Sequence, residues 1–487
     1  MLANQLFCFL NQTHEVKTNS DWNNCHWAKL WLYNLHYFDD LTAIDNEQRV
    51  VWHRALIDRW IDENPPGKGN GWEPYPLSLR IVNWIKWGLA GNQMDDRWLH
   101  SLVVQVRFLT QNLESHLMGN HLFANAKALQ FAGLFIDCDE AKEWFRIGHK
   151  LVAQELPEQV LSDGGNFELS TMYHVIFLED LLDLNNLYRT YKKMLPDGLE
   201  EIIFSMFNWL NTMCHPDGEI SFFNDAAIGV SPSVKEIQEY GIRLSLFKGE
   251  PNKDGITVLK ESGYSRVQST DVVALIDRAA IGPDYLPGHA HADTLSFELS
   301  LFDQRVIVNS GTSIYSIGID RQQERSTAAH STILIDEQDS SEVWKGFRVA
   351  RRARIIKSIE QQSNDRIQIS ASHDGYKRLA GKPIHYREWI FEKSKLTIND
   401  KITGKGVHAI MSILPLHPSV VIKVVEANRA VLDIEGNEAV ISVDDGGEFV
   451  TVNSNYHPEF GLSIANQQLV FNCRGKLPIE VTTRISW

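Results

Sequence analysis

Cysteine is scarce and poorly placed for covalent work. The 487 residues contain five, Cys8, Cys25, Cys138, Cys214 and Cys473, an odd number with no Cys-x-x-Cys pair. A disulfide framework and a cysteine-based zinc site are both poorly supported. Positive charge is also in short supply. Against 62 acidic residues stand 47 Lys and Arg, a net charge of −15. That balance disfavours a general nucleic-acid or anionic-membrane binder, though a locally basic cleft could still hold an acidic ligand. No apolar run approaches the ~20 residues that cross a bilayer, so no membrane span is expected. The first residues, Met1 to Cys8, lack the basic region and long apolar stretch of a signal peptide. The chain as given reads as cytoplasmic, or periplasmic if its N-terminus is incomplete. No short repeat is visible, which disfavours a regular solenoid.

What is present divides into two halves. Composition is ordinary for a globular protein, with 43% hydrophobic and 22% charged residues. Eleven of the 14 tryptophans lie at or before Trp209. In the same half Ile81, Trp84, Ile85 and Gly88 share a helical face, as do Val175, Leu178 and Leu182. Breakers separate such stretches: Asn64-Pro65-Pro66-Gly67, Asp163-Gly164-Gly165 and Pro216-Asp217-Gly218. From about Tyr264 the period falls to two. Examples are Val306 and Val308, Ile367 with Ile369 and Ala371, and Ile384 with Tyr386 and Glu388. Turns such as Gly436-Asn437 and Asp445-Gly446-Gly447 punctuate them. A multidomain α+β chain is expected: a helical domain over 1–250, then an antiparallel β-sandwich over 251–487, with the linker inside 240–265.

The densest chemistry lies at Pro287-Gly288-His289-Ala290-His291-Ala292-Asp293. On a strand His289, His291 and Asp293 would project to one side, a pattern that suits metal ligation or acid–base work. Asn309 follows an apolar run and His330 ends Ser326-Thr327-Ala328-Ala329-His330; with His291 they could assemble a cation site. Zinc prefers a carboxylate to a neutral amide, which counts against Asn309. In the helical half Asn120 and His121 open an apolar helix, where Asn120 also reads as an N-cap. A glycine-rich turn, Asp163 to Gly165, feeds Glu168, Tyr173 and His174. Trp72 and Arg80 add an aromatic face and a cation suited to a sugar ring, although most of the tryptophans read better as core.

These segments together resemble the heparinase II/III family of polysaccharide lyases. The matching stretches are Lys29 to Asp39, Trp72-Glu73-Pro74-Tyr75-Pro76 with Arg80 to Trp84, Asn120-His121-Leu122, Asp163 to Tyr173, Gly288 to Phe297, Asn309-Ser310-Gly311-Thr312 through His330, and Ser341-Glu342-Val343-Trp344. The resemblance implies an N-terminal incomplete α/α toroid followed by stacked antiparallel sheets. It also implies β-elimination at a uronic acid of a polysaccharide. Carried over by position, Tyr173 and His289 are the acid–base pair, and Asn120 and His121 meet the substrate carboxylate. Arg80, Glu168, His174 and Trp72 stand as further substrate contacts. His291, Asn309 and His330 match a zinc site of some members in which the middle ligand is typically Asp. No cofactor is required on this reading, and any zinc is structural.

The chemistry is consistent. A uronate C5 proton is weakly acidic because the enolate carries two negative charges, so donors at the carboxylate offset charge where it develops. A base takes the C5 proton and an acid protonates O4. A tyrosine, with reference pKa about 10, serves as base only where its surroundings favour the anion. Two other classes compete. A toroidal glycoside hydrolase would need two carboxylates, for which Asp163, Glu168 and Asp225 are available. A non-catalytic polysaccharide-binding or assembly protein would keep the site without the activity. Heparan-type, alginate-type and capsular uronates all fit, and the acidic composition disfavours highly sulfated chains.

Overall fold

The structure, a computed structural model, describes residues 1–3, 5–249, 251–363, 366–444 and 446–487. Glu250 of the expected linker and Asp445 of the expected turn lie outside the described residues. The chain forms two compact units, one of residues 1–159 with 180–199, the other of residues 160–179 with 200–487.

Nine helices follow a short N-terminal hairpin among the described residues: α1 (Lys29–Tyr37), α2 (Val50–Glu63), α3 (Pro74–Leu89), α4 (Asp96–Gln111), α5 (Gly119–Phe135), α6 (Ala141–Gln159), α7 (Thr171–Thr190), α8 (Leu199–Thr212) and α9 (Val234–Arg243). A tenth, α10 (Ile319–Glu324), lies among the strands. None is long and apolar enough to cross a membrane. α3 opens on Pro74, where the missing N–H costs nothing, and buries Leu77, Ile81, Trp84 and Ile85 on one face. α5 is buried almost all round because Ala124, Ala126, Ala128 and Ala132 keep it slim. Its close approach to α6 depends on Gly148, where an added Cβ would lie 2.6 Å from the Ala126 carbonyl oxygen.

The strands form three larger antiparallel sheets. A five-stranded meander runs Gly255–Leu259, Tyr264–Ser269, Val272–Asp277, Phe297–Leu301, Gln304–Ile307. A four-stranded sheet orders Gly447–Tyr456, Ile464–Lys476, Val407–Pro415 and Ile333–Ile335. An eight-stranded sheet runs from Ile355–Ser363 at one edge to Val421–Val425 at the other. One core joins residues of all three, including Phe297, Leu299, Trp389, Ile398, Leu432, Phe471 and Ile485. Helices followed by stacked antiparallel sheets are the order expected from the change of period. The expected alternation on Ile384, Tyr386 and Glu388 needs correction, because the inward face of that strand carries His385, Arg387 and Trp389. Arg387 and His385 are buried there against Asp400, an ion pair that an apolar-periodicity reading assigns outward.

The loop before α7 is fixed by Asp163. Its Oδ2 accepts from Glu261 N at 2.9 Å, Ser262 N at 2.8 Å and Ser262 Oγ at 2.9 Å. Gly164 then turns at φ +89°, where a Cβ would meet the Ser205 carbonyl oxygen at 2.3 Å. Asp163→Ala should therefore lower stability by about 1–2 kcal/mol, since it strips the acceptor from the part-buried Ser262 donors as well as from the exposed Glu261 N. Asp163→Asn, which keeps an acceptor, should lose less. Urea unfolding of the two variants checks the order.

Candidate active site

Tyr173 is placed by the chain immediately before it. Asn166 Oδ1 accepts from Glu168 N at 3.1 Å, Leu169 takes a left-handed φ of +59°, and Ser170 caps α7 by accepting from Tyr173 N at 3.2 Å. Ser170 Oγ and Thr171 Oγ1 donate to the carbonyls of Asp225 and Ser221. The start of α7 is thus tied to residues 221–225.

The His-x-His-x-Asp run lies in a loop, so the alternation of a strand does not apply to it. A different device aligns its side chains. His289 Nδ1 lies 2.9 Å from Asp225 Oδ2, and His291 Nε2 lies 2.8 Å from Asp225 Oδ1. Asp293 accepts from Asn224 N at 3.3 Å. Arg321 closes on the Asp225 carboxylate with both terminal nitrogens, Nη2 to Oδ2 at 2.7 Å. Asp225, Arg321 and His291 are all buried. Burial would raise the Asp225 carboxyl, but the Arg321 guanidinium and the hydrogen bonds from His289, His291 and Arg321 outweigh it and hold the group well below the usual carboxylate range. An ionised Asp225 only accepts, so the neutral tautomer of His289 that fits this geometry carries its proton on Nδ1 and its lone pair on Nε2.

Tyr173 meets this arrangement directly. Its ring lies 4.2 Å from the His289 ring, and its hydroxyl is 3.0 Å from that of Tyr315. Glu168 Oε2 is 3.6 Å from His289 Nε2. Burial, then Tyr315, Asp225 and Glu168, push the Tyr173 phenol well above its ordinary value. At neutral pH it is a proton-bearing phenol.

The three cation-site candidates do not converge. His291 Nδ1 faces His330 Nε2 at 3.3 Å, and His330 Nδ1 faces Asn309 Oδ1 at 3.0 Å, so Asn309 meets the far nitrogen of His330. Among the described residues no three His, Cys, Asp or Glu side chains form a metal-binding group. The row is instead a hydrogen-bonded chain starting at Asp225. Burial pushes His291 down to about 4, with Asp225 opposing, and carries His330 well below its usual value, so both are neutral. With Asp225 accepting from His291 Nε2, His291 Nδ1 accepts from His330 Nε2, and His330 Nδ1 needs a donor. Asn309 Nδ2 is buried with no partner among the described residues. Exchanging the two ends of that amide makes Asn309 the donor the chain requires, a role an aspartate could not fill.

Other expected contacts fall elsewhere. Arg80 is fully buried; its guanidinium stacks 3.8 Å over Trp60 and Nε donates to Gln105 Oε1 at 2.9 Å. Trp72 is buried against Trp60 and Phe108. His174 stacks on Trp209 at 4.3 Å and bonds the Met206 carbonyl at 2.9 Å. In the structure each of these three side chains packs in a core, where a cation or imidazole over an aromatic face is as much at home as in a sugar site. Asn120 and His121 begin α5 in the first unit. The cap is Met118 at φ 57°, so Asn120 stands half-buried in the first turn and is not the N-cap. His121 Nδ1 lies 3.0 Å from Glu114 Oε1, with its ring 4.4 Å from that of Tyr75. Asp225 appears in the sequence reading only as a hydrolase carboxylate, and Arg321 and Tyr315 do not appear in it at all.

Comparison with known proteins agrees with the fold. Residues 29–250 match the family model "Heparinase II/III N-terminus" and residues 252–487 match "Heparinase II/III-like, C-terminal". The heparin-sulfate lyase of Bacteroides stercoris is 22% identical over 356 residues, covering 61% of this chain and 51% of that protein. That of Pedobacter heparinus is 25% identical over 330 residues, covering 61% and 49%. The chain thus matches about half the length of these relatives. The crystal structure titled Heparinase III superposes with a TM-score of 0.77 at 16% identity, covering 98% of this chain and 78% of that one, which shows a shared fold of helical toroid followed by sandwich. Two adjoining matches that together take in nearly every residue from Lys29 to Trp487 make this chain a member of the heparinase II/III family.

Proposed function

We propose that this protein is a polysaccharide lyase that cleaves a uronate-containing chain by β-elimination. The observation carrying this reading is the Tyr173–His289 pair, a neutral phenol beside an imidazole whose free nitrogen is set by Asp225. His289 Nε2 takes the C5 proton; Asp225 and the nearby Glu168 stabilise the imidazolium that forms. Tyr173 delivers its proton to the departing O4, with the Tyr315 hydroxyl at 3.0 Å able to resupply it. Assigning the acid role to Tyr173 follows from its surroundings, since Asp225 and Glu168 oppose the phenolate a base would need. For the uronate carboxylate, Asn120 and His121 are retained on the family resemblance. Double-displacement hydrolysis is less well supported, because Asp163 is occupied as a backbone latch and Asp225 is sealed against Arg321. Heparan-type chains come first among substrates, since the named relatives are heparin-sulfate lyases.

Incubation with the right polymer should release products absorbing in the ultraviolet, because the new C4=C5 bond conjugates with the carboxylate. New reducing ends without that absorbance would mean hydrolysis instead. Tyr173→Phe and His289→Ala should each lower kcat by roughly 10²–10⁴ while melting near the wild-type temperature. A chelator should leave the rate unchanged, and elemental analysis should find no stoichiometric zinc.

Asp225→Asn should cost about 3–5 kcal/mol, because it leaves Arg321 buried without its counter-charge. The folded pKa of Asp225 lies below the unfolded value of about 3.9. Its contribution is therefore complete above that value and is lost as pH falls through the folded pKa. The stability gap between wild type and variant should stay level at neutral pH and narrow below about pH 4. Guanidinium unfolding across that range measures it.

A further inference from the structure

Residues 344–354 read Trp-Lys-Gly-Phe-Arg-Val-Ala-Arg-Arg-Ala-Arg, a cluster of five cations in a chain of net charge −15. They begin in a two-stranded hairpin in which Trp344 pairs with Arg348 and Val343 with Val349. The tip, Lys345-Gly346-Phe347, is held from beneath by two buried arginines. Arg321 Nε donates to the Gly346 carbonyl at 3.1 Å and Arg325 Nη1 to the same oxygen at 3.0 Å. Arg321 is also the partner of Asp225, so one side chain fixes both the hairpin and the carboxylate that orients His289.

The hairpin turns its adhesive groups outward beside the site. The Phe347 ring stands edge-on to His289 at 5.7 Å and to Tyr315 at 5.1 Å, yet the residue is 43% exposed. Trp344 is 45% exposed. An exposed Phe347 at the margin of the pair, with an exposed Trp344 on the same hairpin, marks a binding surface. Of the cations, Arg351 is taken by Glu342 and Arg352 by Asp284. Lys345 and Arg348 are exposed, and among the described residues neither lies within ion-pair distance of a carboxylate; the Lys345 ammonium lies 5.4 Å from the Trp344 ring centre.

We infer that the Val343–Val349 hairpin is the subsite for an acidic sugar next to the cleaved bond. Trp344 and Phe347 offer faces on which a pyranose ring stacks, and Lys345 and Arg348 meet the anionic groups it carries. This rests on the lyase reading for its place in the reaction, but binding at the hairpin is measurable without turnover.

The test uses the full chain with Lys345→Gln/Arg348→Gln, and separately Trp344→Ala, against heparan sulfate and alginate, with dextran as the uncharged control. Binding is measured in the Tyr173→Phe background, and KM and kcat in the wild-type background. The charge variant should raise Kd and KM about tenfold with kcat changed less than about twofold, and should flatten the salt dependence of binding. Trp344→Ala should raise KM severalfold without that change in salt dependence. Both should unfold at the wild-type midpoint, since the replaced side chains are exposed. A loss confined to heparan sulfate assigns the cations to sulfate; a loss shared with alginate assigns them to carboxylate. Kd, KM and salt dependence equal to wild type on both polymers would overturn the subsite even where ultraviolet-absorbing product forms, leaving the lyase reading intact. Binding lost in the variants, with no such product from any protein, would retain the subsite and remove the lyase reading. Wild-type protein that binds neither polymer, or dextran equally well, would also overturn the subsite.

Discussion

A carboxylate buried without solvent is costly unless a counter-charge and hydrogen bonds replace the water it has lost. Asp225 meets that condition with Arg321, His289 and His291 around it. The segment from Gly288 to Ser296 has no strand or helix to satisfy its backbone, so its polar groups need side-chain partners. Arg325 donates to the Ala290 carbonyl, Thr327 Oγ1 to that of Ala292, and Asn224 Oδ1 accepts from His291 N. Asp225 N itself donates to the His289 carbonyl. An irregular loop is thereby held as firmly as a strand, with the Asp225–Arg321 pair at its centre.

A second buried pair braces the same loop from the sheets. Arg387 binds Asp400 and donates through Nη1 to the carbonyls of Leu295 and Ser331. Those two carbonyls close the segments that carry His291 and His330. Beneath them the histidines line up in one sense: Gly375 N donates to His373, whose Nε2 lies 3.1 Å from His385 Nδ1, and His385 Nε2 bonds Asp400. Each protonation state in the row follows from the amide at one end and the carboxylate at the other. Strict hydrogen-bond bookkeeping therefore recurs away from Tyr173 and His289, with the Arg387–Asp400 charges buried among such partners.

Tyr173 and His289 were legible in the sequence because each stands in a local cluster, a glycine-rich turn feeding a helix and a run of alternating histidines. The helix-then-strand order was legible from the change of period. Arg321 and Tyr315 were not, since Arg321 meets Asp225 across 96 positions and Tyr315 meets Tyr173 across 142. No spacing rule reaches that far. The conformation of the histidine run was not legible, because alternation in a sequence looks the same whether the backbone of a strand or a shared acceptor produces it. Arg80, Trp72 and His174 are ambiguous in the sequence for a related reason: aromatic and cationic residues cluster alike in cores and in sugar sites, and burial, as these three show it, is not written in the spacing. The neutral amide of Asn309 is visible in the sequence, but the need for a donor at His330 emerges only from the direction of the whole chain of histidines.

The latch at Asp163 and the cap at Ser170 also bear on how the chain reaches its final form. Residues 160–179 belong to the compact unit otherwise made of residues 200–487. Their partners Ser262, Asp225 and Tyr315 all come later in the sequence. During synthesis the segment bearing Phe167, Leu169 and Tyr173 therefore emerges well before the groups that will cover it. Contacts of such long sequence separation form slowly and leave apolar surface open meanwhile. The arrangement of Tyr173, His289 and Asp225 is consequently a late event in assembly, completed only when Arg321 arrives to neutralise a carboxylate made almost a hundred residues earlier.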